Sequence, residues 1–308
     1  MKVVWNKLDQ AAWQSFHAAH WGALQQSWAY GDALMAMDVD MQRAMVWEGD
    51  RLVAVAQFMC RRMAGYLSLA SCTRGPVWGT DVSVAERQQV YRQLRQSMPL
   101  QRLKVVLFSP DRSMAQIDGA ELKGLSRVMT GYSTVLLDLR KPLATLKAEL
   151  EGKWRNRLTK VLANEKIRYQ VQPSFKRCEW LLGKEVDQRE AKKFHGLPVE
   201  FVRAYIQSAN EQAPVFAVAY AQLGKDTIAA MLFLIHGRVA SYHMGWADAQ
   251  GRQLNAHNAL LWHAVGYFQA MKIDVLDLGG VNTHDLPGIS RFKLGTGGQV
   301  LTLAGTYF

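Results

Sequence analysis

A lysine held between apolar neighbours is the residue best suited to chemistry in this sequence. Gly288-Ile289-Ser290-Arg291-Phe292-Lys293-Leu294-Gly295, followed by Gly297-Gly298, sets Lys293 between Phe292 and Leu294. Such a side chain is partly desolvated, so its charge acts strongly on a neighbour and suits an oxyanion. A snorkelling surface lysine is the plainer reading of the same pattern. Just upstream, Asp277-Leu278-Gly279-Gly280-Val281-Asn282 places two glycines and an asparagine directly after a buried-type strand. Ligands gather at such strand ends, and glycine lets backbone approach closely. Asp277, His284 and Asp285 are each candidates for a general base, and spacing alone does not choose among them.

Charge points to a second functional region. The 308 residues carry 37 Lys/Arg against 26 Asp/Glu, a net +11. The stretch from Arg140 to Arg177 holds eleven Lys/Arg and three Glu (Glu149, Glu151, Glu165). That stripe suits a polyanion such as nucleic acid, a nucleotide sugar or an anionic head group, and a solvated helix face is the bland alternative. Trp154 within it could stack on a base, although core packing is its commoner role. Other chemistries find little support. The three cysteines are widely spaced and form neither a disulfide framework nor a zinc pattern. His257 and His263 are six apart on one helix, His17 and His20 lack an acidic neighbour, and HExxH, GxSxG and Walker motifs are missing. No metal is expected. The longest apolar run, Thr227 to Ile235, falls short of the roughly 18–20 residues a spanning helix needs.

These residues need elements to hold them. The first forty residues read as helical, with Trp13, Phe16 and His17 on one face and Gly31-Asp32 as an interruption further on. Two β-rich runs, Gln42 to Glu48 and Arg51 to Cys60, meet across Gly49-Asp50, a hairpin signal. Tyr66 to Ala70 is a further strand, Ser83 with Glu86 opens a polar helix through a capping box, and Leu103 to Phe108 is a buried strand. A similar order recurs in Val215 to Gln222, Thr227 to Ile235, Arg238 to Trp246, the helix Leu254 to Met271 and the strand Val275 to Leu278. Aligning Val53-Ala54 with Ile228-Ala229 sets Phe58 beside Phe233, a weak duplication at about 175 residues. Between the halves, Pro142 to Leu150 and Lys153 to Ala163 have helical spacing, broken near Gly152. The turn from Ala247 to Asn255 resembles the pyrophosphate loop of acetyl-CoA-dependent N-acetyltransferases, with only Gly251 and Arg252 matching, which argues against tightly held CoA.

Together the pieces resemble the Fem family of peptidoglycan-bridge aminoacyltransferases, whose members have two GNAT-like domains. The resemblance rests on Leu24-Gln25-Gln26-Ser27-Trp28, Thr73-Arg74-Gly75-Pro76-Val77, Lys153-Trp154-Arg155-Asn156-Arg157, Asp277-Leu278-Gly279-Gly280 and Arg291-Phe292-Lys293-Leu294-Gly295. It spans nearly the whole chain in order. It implies an α+β fold of two tandem GNAT-like domains, each a mixed, mostly antiparallel twisted sheet flanked by helices. It also implies transfer of an aminoacyl group from a charged tRNA to an amine, usually on a cell-wall precursor, with no cofactor. The catalytic role falls on Lys293. Tyr242 would line the acceptor site and Arg155 and Arg157 would hold phosphates. Arg74, Arg252, Asn255, Asn282 and Phe292 complete the expected binding set.

Two other functions fit the same residues. One is an acyl-CoA-dependent GNAT N-acyltransferase acting on a sugar, peptide or lipid amine. The other is a non-catalytic protein binding RNA or a membrane surface. Domain 1 is expected over residues 1–133, joined by 296–308 through the β-rich run Gln299 to Tyr307, and domain 2 over 134–295. A cytoplasmic location is expected, with peripheral contact at the inner face of the membrane if the acceptor is lipid-linked.

Overall fold

The computed structural model describes residues 1–63, 66–100, 103–192, 197–208, 214–282 and 287–308. The N-terminus is not wholly helical: strand β1 (Lys2–Trp5) precedes helices α1 (Gln10–Ala19) and α2 (Trp28–Met35). Alternation wins there, because Val3 and Trp5 pack on the core. Helix α1 buries Trp13 and His17. Helix α2 continues through Gly31-Asp32, where the Arg43 guanidinium binds the Asp32 carboxylate at 2.7 Å. A Cβ on Gly31 would meet Gln57 and Arg43, so the small residue is needed for packing.

The chain divides into two compact units, Met1–Ser133 with Arg203–Ser208 and Leu301–Phe308, and Thr134–Val202 with Ala209–Val300. In the first, Gly49 at φ +57° turns β2 (Asp40–Glu48) into β3 (Arg51–Met63). Strand β4 (Leu67–Thr73) and the short β5 (Val77–Trp78) lead to α3 (Val84–Ser97), which the Ser83–Glu86 capping box starts. Strand β6 (Leu103–Ser109) then pairs parallel to β4 along all seven residues, and β7 (Arg127–Met129) lies at the far edge. Phe58, Tyr91 and Phe108 form the aromatic centre, with edge-on rings 5.0–5.7 Å apart.

The second unit repeats this order. Strand β8 (Ser133–Asp138) is followed by α4 (Leu143–Glu149) and α5 (Gly152–Leu162), then β9 (Ile167–Gln172) and α6 (Phe175–Lys192); α7 (Val199–Gln207) starts in this unit and ends in the Arg203–Ser208 segment of the first. The hairpin β10 (Phe216–Leu223) and β11 (Asp226–His236) leads to β12 (Val239–Ala247), α8 (Ala249–Gln253) and α9 (Ala256–Ala270). Strand β13 (Val275–Val281), helix α10 (Pro287–Leu294) and β14 (Gln299–Thr302) complete it. The sheet order is β14-β8-β13-β12-β11-β10-β9. Phe233 and Phe268 sit 5.2 Å apart in its core, as Phe58 and Phe108 do in the first. Of the run Gln299 to Tyr307, only β15 (Thr306–Tyr307) joins the first sheet, between β6 and β7. Gln299–Thr302 pairs with β8 instead. Gly305, at φ +110° with its missing Cβ aimed 2.2 Å from Met129 O, lets the chain turn away.

Candidate functional site

The two units differ where their central parallel strands end. Strands β12 and β13 pair with each other only over Val239–Ser241 and Val275–Asp277, then run on to Ala247 and Val281 without pairing to one another. A one-residue register shift at His243 bends β12 at this point. A wedge therefore opens after Ser241 and Asp277 in the second unit, whereas β4 and β6 stay zipped in the first.

Lys293 enters this wedge. It is 8 % exposed, and its Nζ donates to Gly280 O at 2.8 Å and sits 5.7 Å from the Tyr242 ring centroid. Gly279, at φ +74°, lies beneath it; a Cβ there would be 3.7 Å from Lys293 Nζ and 3.8 Å from Tyr242 O. Burial pushes the Lys293 ammonium down to about 8, and the Asp277 carboxylate opposes that shift. Asp277 is itself buried, with Oδ1 accepting from Thr134 Oγ1 at 2.6 Å and from Gly279 N at 2.8 Å. Those bonds shape the turn after β13 and make Asp277 an anchor. His284 and Asp285 lie outside the described residues.

Helix α10 is fixed by the basic helix α5. Trp154 Nε1 donates to Phe292 O at 3.0 Å, and the two rings lie 5.8 Å apart. Thr296 Oγ1 donates to Lys293 O at 2.6 Å and Gly295 N to Arg291 O, so the last carbonyls of α10 are satisfied from three sides. Phe292 also faces His257, whose ring nitrogen meets Trp246 O at 3.1 Å and whose titration burial moves downward. Three of the sequence motifs thus meet at one lysine. Trp154→Ala is expected to lower stability by about 3–5 kcal/mol, the usual cost of emptying a buried aromatic site. Denaturant unfolding measures this, and a loss below about 1 kcal/mol would detach Trp154 from the support of α10.

Tyr242 is half-buried beside the lysine. A Cβ on Gly245 would lie 2.5 Å from its hydroxyl, so Gly245 makes room for it. Burial, with the Glu185 carboxylate nearby, raises the phenol, which stays a neutral hydrogen-bonding group. Sequence reasoning missed Glu185, since a buried acid on an amphipathic helix has no motif.

The remaining expected residues fall into separate settings. Arg155 and Arg157 are exposed on α5, where Lys153, Arg157 and Lys160 share one face at i, i+4, i+7. Lys160, Asn164 and Asn255 line an open cavity of about 450 Å³ beside the start of α9. Asn255 takes a left-handed conformation there, at φ +58°. Arg252 turns back onto Ala247 O. Gly251 gives its N–H to Asp248 Oδ1 at 2.6 Å, and its missing Cβ points at Ile228 O. The N–H and the arginine that a phosphate would use are already engaged. Asn282 lies exposed at the end of β13, its carbonyl accepting from Ser290 Oγ at 2.6 Å. Among the described residues, no group of three His, Cys, Asp or Glu is arranged to hold a metal ion.

In the first unit, Arg74 is buried in a left-handed conformation with Nε 2.6 Å from Asp111 Oδ1. It lines an open cleft of about 400 Å³ with Arg87, Arg112, Trp78 and Asp111. Gln26 secures this turn by donating to Thr73 O at 2.8 Å and to Gln57 O at 3.2 Å, while accepting from Gln57 N. Gly75 is small because a Cβ would meet the Gln26 amide at 2.6 Å. The Leu24–Trp28 and Arg-Gly-Pro motifs are therefore one interlocked structure.

Residues 152–294 match the acetyltransferase (GNAT) domain family. The crystal structure of FemX superposes with a TM-score of 0.82 over 100 % of this chain and 96 % of that one, at 13 % identity. The chain has the tandem GNAT-like fold of the Fem type. A tandem GNAT protein from the clavulanic acid biosynthesis pathway superposes at a TM-score of 0.52 and 10 % identity, over 99 % of this chain and 98 % of that one. The C-terminal domain of a putative lysylphosphatidylglycerol synthetase from Agrobacterium fabrum does so at 0.55 and 14 %, over 97 % and 92 %. No curated protein sequence matches the chain. Within the Fem-type fold, the wedge and Lys293 both belong to the acyltransferase-type second unit.

Proposed function

We propose that this protein transfers an aminoacyl group from a charged tRNA to an amine of an anionic acceptor, a cell-wall precursor or a related molecule. The observation that carries the reading is the Lys293 ammonium, buried in the β12–β13 wedge with only Gly280 O as its hydrogen-bond partner among the described residues. An aminoacyl ester is already activated, so a neutral amine placed against its carbonyl needs positioning and a cation for the developing oxyanion. The C–N bond forms and the ester C–O bond to the ribose breaks. The proton lost by the amine passes to the departing ribose oxygen, so a protein base is not required.

The exposed basic face of α5 and the cavity at Lys160 and Asn255 supply cations and polar groups for the donor's phosphates. An acyl-CoA donor is disfavoured because Asp248 places a carboxylate in the loop that would hold its pyrophosphate. No helix among the described residues is long and apolar enough to cross a membrane.

The deciding experiment is binding to charged tRNA and to acetyl-CoA across a salt series. Affinity for charged tRNA should fall steeply with salt, with a slope of roughly −0.7 to −0.9 per phosphate contact, and should exceed that for uncharged tRNA. Saturable acetyl-CoA binding, with weak tRNA binding indifferent to charging, would overturn the reading in favour of an acyl-CoA transferase. Asp277→Asn offers a finer check. Removing the negative charge that supports the Lys293 cation moves the alkaline loss of activity to lower pH. The variant should lose more activity at pH 8 than at pH 6.5. An unchanged pH profile would show that the two groups do not act together.

A further inference from the structure

The ends of β3, β4 and β6 carry an arrangement that acyl transfer does not use. In register, Met63 stands opposite Leu67 and Leu67 opposite Leu103, so the three form one row on one face of the sheet end. Met63 is 48 % exposed, Leu103 72 %, and the neighbouring Tyr66 69 %. Contiguous apolar side chains left in water mark a contact surface. The next row, Arg62, Ser68 and Lys104, points to the opposite face, and Arg61 and Arg62 are both exposed. The two arginines border an open cleft of about 340 Å³, in which Asp40 is the sole carboxylate.

We propose that this strand-end tip docks the protein onto an anionic phospholipid bilayer. Met63, Tyr66 and Leu103 enter the boundary between headgroups and acyl chains, while Arg61 and Arg62 bind lipid phosphates. Three features select this occupant. The exposed row is three side chains wide, too narrow for the roughly 800 Å² per partner of a stable protein interface. A tyrosine beside aliphatic side chains suits the membrane interface, where its ring and hydroxyl are both satisfied. The two exposed guanidiniums, one on each face of the strand end, suit lipid phosphates, and the net +11 of the chain is drawn to an anionic leaflet. The proposal is independent of the transfer chemistry, so its failure would leave that reading untouched.

Co-sedimentation with vesicles of phosphatidylcholine containing phosphatidylglycerol, against phosphatidylcholine alone, tests it. The full chain should partition onto the anionic vesicles at least about 10-fold more strongly. Leu103→Glu and Tyr66→Ser, both at exposed positions, should each weaken that partition about 5-fold. The double variant Arg61→Glu, Arg62→Glu should weaken it about 10-fold or more, with melting temperatures unchanged. Absence of phosphatidylglycerol-dependent sedimentation overturns the proposal. So does undiminished binding by both Leu103→Glu and Tyr66→Ser, which would assign vesicle binding to charge alone.

Discussion

Lys293→Met is expected to lower turnover about 10²–10³-fold while leaving the protein at least as stable as the wild type. The rate loss follows from removing the cation in the wedge, where Lys293 Nζ is the one ammonium or guanidinium nitrogen within 4 Å of the Gly279 Cβ position among the described residues. The stability effect follows from the pKa. A lysine lowered in the fold, to about 8 from 10.5, costs stability wherever both folded and unfolded forms are protonated. That cost is fully present below pH 8 and is relieved as pH rises from 8 toward 10.5. It amounts to ~3 kcal/mol at most, and losing the bond to Gly280 O offsets part of it, leaving a gain of about 1–2 kcal/mol at pH 7. Wild-type turnover should also decline as pH rises through about 8, where the ammonium deprotonates. Single-turnover rates with charged tRNA and a calorimetric melt of both proteins check this. A variant that is both active and less stable would return Lys293 to a packing role.

What could be read from the sequence follows from how local each signal is. The Gly49 hairpin, the Ser83–Glu86 cap and the apolar strands of each unit depend on neighbouring residues, and the structure contains them. The pairing of Phe58 with Phe233 was legible because the repeat keeps the same core position in both units. The wedge was not legible. It depends on β12 and β13 parting after three residues, and a parallel pair that ends early has the same apolar pattern as one that continues. The Lys293 motif was visible, but its support was not. Trp154 reaches Phe292 O from 138 residues away, and Thr134 reaches Asp277 from 143. The faces of the basic helix, by contrast, follow from spacing alone: Trp154, Leu158 and Val161 take the buried side, as their helical period requires. The C-terminus returns to the first sheet through β15, but alternation over Gln299 to Tyr307 does not reveal the turn at Gly305 that separates it from Gln299–Thr302.

Reversing charge on α5 should separate donor binding from catalysis. The double variant Arg155→Glu, Arg157→Glu is expected to weaken charged-tRNA binding about 10²-fold at moderate salt and to flatten the salt slope by about 1.4–1.8, two contacts' worth. Both side chains are exposed; the bond from Arg155 to Ala148 O, at 3.4 Å, is long, and Trp154, Leu158 and Val161 keep the helix packed. Glutamates in the first turns of a helix also suit its dipole, so melting should change by less than about 0.5 kcal/mol. The chemical step should survive, because Lys293 and its wedge are built from other residues. At saturating tRNA the variant should therefore regain most of the wild-type rate, whereas Lys293→Met should not. Filter binding from 50 to 200 mM salt, with rates at saturation, distinguishes the two. An unchanged slope would remove tRNA phosphates from Arg155 and Arg157 and leave their charge as a solvated surface.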